Sequence, residues 1–143
     1  MNAQTAVTPP VRARVAALPG EAFLRLALKL DAVVSGANGL VYVAIPGTLD
    51  STLGVDADVL RGIGAFFLVY AATIWAISSR AQINRATVRV VIAGNAAWMA
   101  GSLVLLAAGV PDPKTAGGVW IALQALVVGG FVALQATGLR RAS

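Results

Sequence analysis

Four long stretches of this chain are dominated by apolar side chains: FLRLALKLDAVVSGANGLVYVAI, VLRGIGAFFLVYAATIWAI, VVIAGNAAWMAGSLVLLAAG and the segment from Ala116 to Leu139. A helix of about 20 such residues, rising 1.5 Å per residue, crosses the hydrocarbon of a bilayer. The stretches are separated by turn-forming segments: Pro46–Gly47 with an acidic loop, SSRAQINRATVR, and Pro111-Asp112-Pro113-Lys114. Pro46–Gly47 cannot comfortably continue the first helix, SSRAQINRATVR reads as a compact basic turn, and Pro111-Asp112-Pro113-Lys114 breaks the third helix and turns the chain. The pattern predicts an all-α integral membrane four-helix bundle over residues 21–141, with spans at about 22–46, 58–78, 88–109 and 115–139. Residues 1–20, with Pro9, Pro10 and Pro19 and no early apolar core, read as a flexible arm rather than a cleaved leader. Asp56 or Asp58 is expected to cap the second span and Thr115 the fourth.

Polar residues inside these spans are few and aligned. Asp31, Ser35, Asn38 and Tyr42 fall at i, i+4, i+7 and i+11, one narrow stripe of the first helix. A carboxylate, two hydrogen-bonding groups and a phenol on one face cannot look at lipid, so this face lines a bundle interior, an oligomer contact or a wet cavity. Measured from the outer ends, Asn38, Gln124 and Ser102 lie about 10–12 Å deep, and Asp31 and Asn95 about 20–22 Å deep, which sorts them into two layers. Gln124 and Gln135 are eleven residues apart and share a face, as do Asn95 and Ser102 at a spacing of seven. Lys29 points away from Asp31 and snorkels. Arg89 is the expected partner of Asp31 by depth and reach, through its two-pronged guanidinium, with Asn95 as the neutral alternative. A third reading puts Asp31 in the inner headgroup region, because the apolar run after it is short for a full span.

Small residues form a second pattern: Ala32, Gly36 and Gly39 beside the polar stripe, Gly62 and Gly64 on the second helix, Ala97 and Gly101 on the third. In lipid such positions let backbones approach, and packing within the bundle is the expected use. Trp75 and Trp120 fit interfacial anchors, whereas Trp98, just past the middle of its span, fits the core. The glycine pairs Gly117–Gly118 and Gly129–Gly130 follow no strand and make no phosphate loop.

Composition narrows the function more than it defines it. Only 12% of the 143 residues are charged, about half the share of a soluble domain, and no room is left for a separate soluble domain. Nine of the eleven Lys and Arg lie in the N-terminal arm with its first turn, the second-to-third loop and the C-terminus, which predicts both termini in the cytoplasm. That basic edge is expected to meet anionic lipids of the cytoplasmic face and not nucleic acid. With no Cys and no His, disulfides, thiolate chemistry, Cys/His zinc and His-ligated haem are excluded from the chain's own residues, and no cofactor is expected. An acid–base pair or an activated nucleophile does not assemble either, so an enzyme is not expected.

The stretches LRLALKLDAVVSGANGLVY, LRGIGAFFLVYAA, VVIAGNAAWMAGSLVLLAAG and ALQATGLRR together resemble small four-helix bacterial inner-membrane proteins that carry no assigned activity. The resemblance implies a multi-pass protein of the bacterial inner membrane and brings no catalytic residues. The small multidrug exporters also have four helices and one acid in the first, but Asp31 replaces their glutamate and no aromatic-rich binding motif is evident, so their site is not carried over. The expected role is a non-enzymatic accessory, assembly or lipid-interacting subunit, as a homo-oligomer or in a larger membrane complex. The alternative is a small proton-coupled transporter or channel-like protein using Asp31.

Overall fold

In the computed structural model, residues 19–109 and 113–143 are described, and among them there are five helices and no strand. They are α1 (Gly20–Ala44), α2 (Pro46–Leu53), α3 (Ala57–Ser78), α4 (Arg85–Ala107) and α5 (Thr115–Arg141). The arm expected over residues 1–20 lies, but for Pro19 and Gly20, outside the described residues, as do Val110, Pro111 and Asp112 of the third turn. Four of the helices, α1, α3, α4 and α5, are long and apolar enough to cross a membrane.

The ends of these helices follow from local chemistry. Asp56 caps α3, its carboxylate accepting from the backbone N–H of Asp58 at 2.9 Å and Val59 at 3.2 Å. Asn84 does the same for α4 through Ala86 and Thr87, which starts that helix at Arg85, three residues before the expected span. Thr115 is not a cap: it is the first helical residue, preceded by Lys114, which makes no side-chain cap. Lys114 is occupied elsewhere, its N–H bonded to Leu53 O at 3.0 Å and its ammonium to Ser51 O at 2.6 Å. These bonds tie the first turn to the third.

The first turn differs from the plain loop expected there. Ile45 breaks α1, with φ −131° and ψ 46°, and Pro46 then opens the short α2. Proline suits that first position because its missing N–H has no partner there in any helix. Gly54, at φ 72°, closes α2 in the left-handed region, and its N–H bonds Asp50 O at 2.8 Å. Leu53 and Val55 are thereby buried with Tyr42 and Leu60 at the acidic end of the bundle.

The bundle is open on one side. α1 packs against both α3 and α5, and α5 packs against α4, but α3 and α4 make almost no close backbone contact. At the α1/α3 crossing Gly39 and Gly64 meet, so close that a Cβ on Gly64 would lie 2.8 Å from Tyr42 Cβ and 2.9 Å from Gly39 O. The small residues expected to pack within the bundle do so here, and Gly36 faces Ala71, while Gly62 and Gly101 face open space. Gly20 lies against the Arg141 backbone and Gly138 against Leu24, so the start of α1 and the end of α5 share a face. The core at that basic end is built on Leu24, Leu28, Ile74, Val88 and Leu139.

Two arginines finish helices other than their own. From α1, Arg25 donates to Ser78 O, to Arg80 O at 2.7 Å and to Ala81 O at 3.4 Å, satisfying the carbonyl end of α3 while pairing with Glu21 at 3.0 Å. From α4, Arg85 donates to Leu139 O at 3.2 Å near the end of α5. A cation at a helix C-terminus also opposes the negative end of the dipole. Replacing Arg25 with Met is expected to lower stability by about 1–2 kcal/mol, in line with lost charge-assisted hydrogen bonds. Glu21→Gln, at a half-exposed pair, should cost under about 0.5 kcal/mol. Thermal unfolding in detergent followed by circular dichroism compares the two, and equal effects would mean that the ion pair, and not the capping of α3, carries the contribution.

Exposure runs opposite to that of a water-soluble protein. Asp31 is 2% exposed and Gln135 0%, whereas Val69 is 68% and Val90 and Leu126 each 72% exposed. Within the spans these polar groups lie inside, among an apolar core, while large apolar side chains face out, an arrangement suited to hydrocarbon surroundings. The chain is a multi-pass membrane protein with an all-helical bundle fold.

Candidate functional site

The inward face of α1 is set by Leu24, Leu28, Ala32, Gly39 and Tyr42, all buried, and Asp31 falls among them. Each other span brings one side chain to its carboxylate. Tyr70 comes from α3, on the same side as Ile74; Asn95 comes from α4, continuing the buried positions Val88 and Val91; Gln135 comes from α5, one turn beyond Phe131. Asp31 Oδ2 accepts from Tyr70 Oη at 2.8 Å, Asn95 Nδ2 at 2.9 Å and Gln135 Nε2 at 2.7 Å, and Oδ1 accepts from Ser35 Oγ at 3.0 Å. Tyr70 Oη also lies 2.8 Å from Asn95 Oδ1, so its single proton has two acceptors, and Asn95 Nδ2 stands 3.4 Å from Gln135 Oε1. One carboxyl thus joins all four spans. Among the described residues no buried side-chain nitrogen or oxygen lacks a partner.

A second polar layer lies toward the acidic end. Asn38 Nδ2 donates to Gln124 Oε1 at 3.0 Å, joining α1 to α5, and Trp120 Nε1 donates to Tyr42 Oη at 2.6 Å. Ser102 stands with Gln124 along a cleft wall and makes no hydrogen bond to it. Of the sequence candidates, then, Asp31, Ser35 and Asn95 meet in one cluster, Asn38 and Gln124 in another, Tyr42 pairs with Trp120, and Ser102 stays apart.

Arg89 is not the partner of Asp31. It is exposed, and among the described residues the only salt bridges are Arg25–Glu21 and Arg61–Asp58. The reason is angular: Arg89 precedes the inward Asn95 by six residues, about 120° around the helix, so matching depth does not bring it to the interior. Lys29 does point away from Asp31, with its ammonium 5.1 Å from the centre of the exposed Trp75 ring. Two members of the cluster, Tyr70 and Gln135, are absent from the sequence candidates. For Gln135 the signal was present in its shared face with Gln124, whereas Tyr70 is a lone phenol in an aromatic run and nothing distinguishes it there.

Between α3 and α4 the open side of the bundle forms two cavities, of about 380 Å³ toward the basic end and about 460 Å³ toward the acidic end. Phe67, Trp98 and Gln124 line both and stand between them. Trp98, expected in the core, instead reaches across the gap, stacked on Phe66 at 5.8 Å and 11° and edge-on to Phe67 at 5.2 Å and 60°. Ser35, Tyr70 and Asn95, three of the four groups bonded to Asp31, form part of the wall of the first cavity. Chemically the arrangement offers a buried acceptor held by neutral donors, one side chain behind an aromatic cleft. No protein-family model, curated protein or solved structure matches the chain.

Proposed function

We propose that this chain is a non-enzymatic subunit of the bacterial inner membrane, with both termini cytoplasmic, an accessory or assembly role, and polar residues that hold its helices in register. The observation that carries the reading is the Asp31 cluster itself. A carboxyl bonded by all four spans, each from a different direction, fixes rotation and height of every helix at once. The basic rim of Arg80, Arg89, Arg140 and Arg141 suits anionic headgroups on the cytoplasmic side. Purification of the tagged full chain in mild detergent should co-isolate a membrane partner at fixed stoichiometry. One further observation favours a second reading, a proton-coupled transporter: two cavities meet at Phe67 and Trp98, and one of them touches the groups that hold Asp31. The chain alone in proteoliposomes, driving a proton-dependent flux that a folded Asp31→Asn protein lacks, would overturn the accessory reading in favour of the second.

A further inference from the structure

We propose that the cleft between α3 and α4 binds a lipophilic organic cation, its apolar body held between aromatic walls and its charge drawn by the carboxylate of Asp31 behind them. The cavity at the basic end, about 380 Å³, lies within the range of small-molecule sites. Phe66, Phe67, Tyr70, Trp98 and Phe131 line it, and the faces of such rings attract cations as well as apolar groups.

Charge decides which ligand class fits. No Lys, Arg, Asp or Glu is among the residues lining this cavity, so its walls carry no charge of their own. Directly behind the wall stands Asp31, reached through Ser35, Tyr70 and Asn95, each of which both lines the cavity and bonds the carboxylate. Among the described residues Asp31 has no salt-bridge partner, and its four hydrogen-bond partners are neutral. In a low-dielectric bundle the field of such a carboxylate is weakly screened and is felt across one side chain. An anion is repelled, a neutral molecule gains burial alone, and a cation gains both burial and attraction. Entry is lateral, beside the contact of Trp98 with Phe66 and Phe67, because the backbones of α3 and α4 stay apart.

Equilibrium dialysis of the full chain in dodecyl maltoside tests this, with tetraphenylphosphonium as the cationic probe and triphenylphosphine oxide as a neutral one of similar shape. Saturable binding of one cation per chain is expected, at least tenfold tighter than the neutral probe. Gly94 lines the cleft with nothing within 4 Å of a built Cβ, so Gly94→Leu adds bulk there without replacing any side chain of the Asp31 cluster and should weaken cation binding at least tenfold. Asp31→Asn should reduce the cation's affinity to that of the neutral probe. Non-saturable uptake, equal affinity for the two probes, or binding undiminished in Gly94→Leu overturns the proposal. If the Asp31 variant fails to fold, the probe pair and Gly94→Leu decide the question without it.

Discussion

Asp31→Ala is expected to destabilise the bundle by about 2–4 kcal/mol, and Asp31→Asn by no more than about 1 kcal/mol. Alanine removes the acceptor of three side chains from three other helices, Tyr70, Asn95 and Gln135, and leaves their polar atoms in an interior without water. Tyr70 can turn its proton to Asn95 Oδ1, and the two amides stand 3.4 Å apart, so part of the network recovers and the loss stays below a sum of full penalties. Asparagine keeps more. With its amide oxygen where Oδ2 stands, all three donors retain their acceptor, and its nitrogen faces Ser35 Oγ, a hydroxyl able to rotate and accept. Unfolding in mixed micelles, titrated with a denaturing detergent, gives both values. If asparagine is as damaging as alanine, the negative charge itself is stabilising the fold, and a counter-charge must be supplied at the site.

The second large effect is expected at the α1/α3 crossing. Gly64→Ala should cost about 1–3 kcal/mol, the range for overpacking, and Gly64→Val more, whereas Gly62→Ala should be neutral or stabilise by up to about 1 kcal/mol. The two glycines are two residues apart on one helix, yet a Cβ at Gly64 would strike Tyr42, Gly39 O and Val43 within 2.9 Å, and one at Gly62 would meet nothing. Backbone atoms are part of the obstacle at Gly64, so the helices themselves must separate. Separation of α1 from α3 also draws Tyr70 away from Asp31, and the Gly64 variants should therefore weaken the polar cluster as well. The same micelle titration compares the pair; a Gly62 variant as unstable as a Gly64 variant would mean that the crossing does not set the effect, since helix propensity by itself favours alanine over glycine at both positions.

How much of this was legible beforehand depends on which coordinate of a helix is asked about. The number of spans is written in the apolar stretches, since hydrocarbon admits no unpaired backbone and so demands long uninterrupted helices. The polar stripe of α1 is legible for the same reason, as a set of residues that lipid would not accept. Depth is legible too: a fixed rise per residue placed Asn38 level with Gln124, and those two side chains are bonded in the fold.

What the sequence left open is rotation about each helix axis. In a soluble helix the apolar face announces the inside, but α4 and α5 are apolar on nearly every side, with Val90 and Leu126 facing out and Val91 and Ala125 buried. Depth alone therefore put Arg89 beside Asp31, when the packing of Val88 and Val91 turns it outward and brings Asn95 in. Only tertiary packing selected Tyr70 and Gln135 as the remaining partners, through the Gly39–Gly64 crossing and the contact of Gly138 with Leu24. The gap between α3 and α4 was equally unreadable, because it arises from which helix pairs approach closely. The sequence by itself determined a membrane bundle with polar residues at two depths; the tertiary structure decided which of them meet, because hydrocarbon fixes what must be hidden, and close packing of small side chains fixes the direction in which it turns.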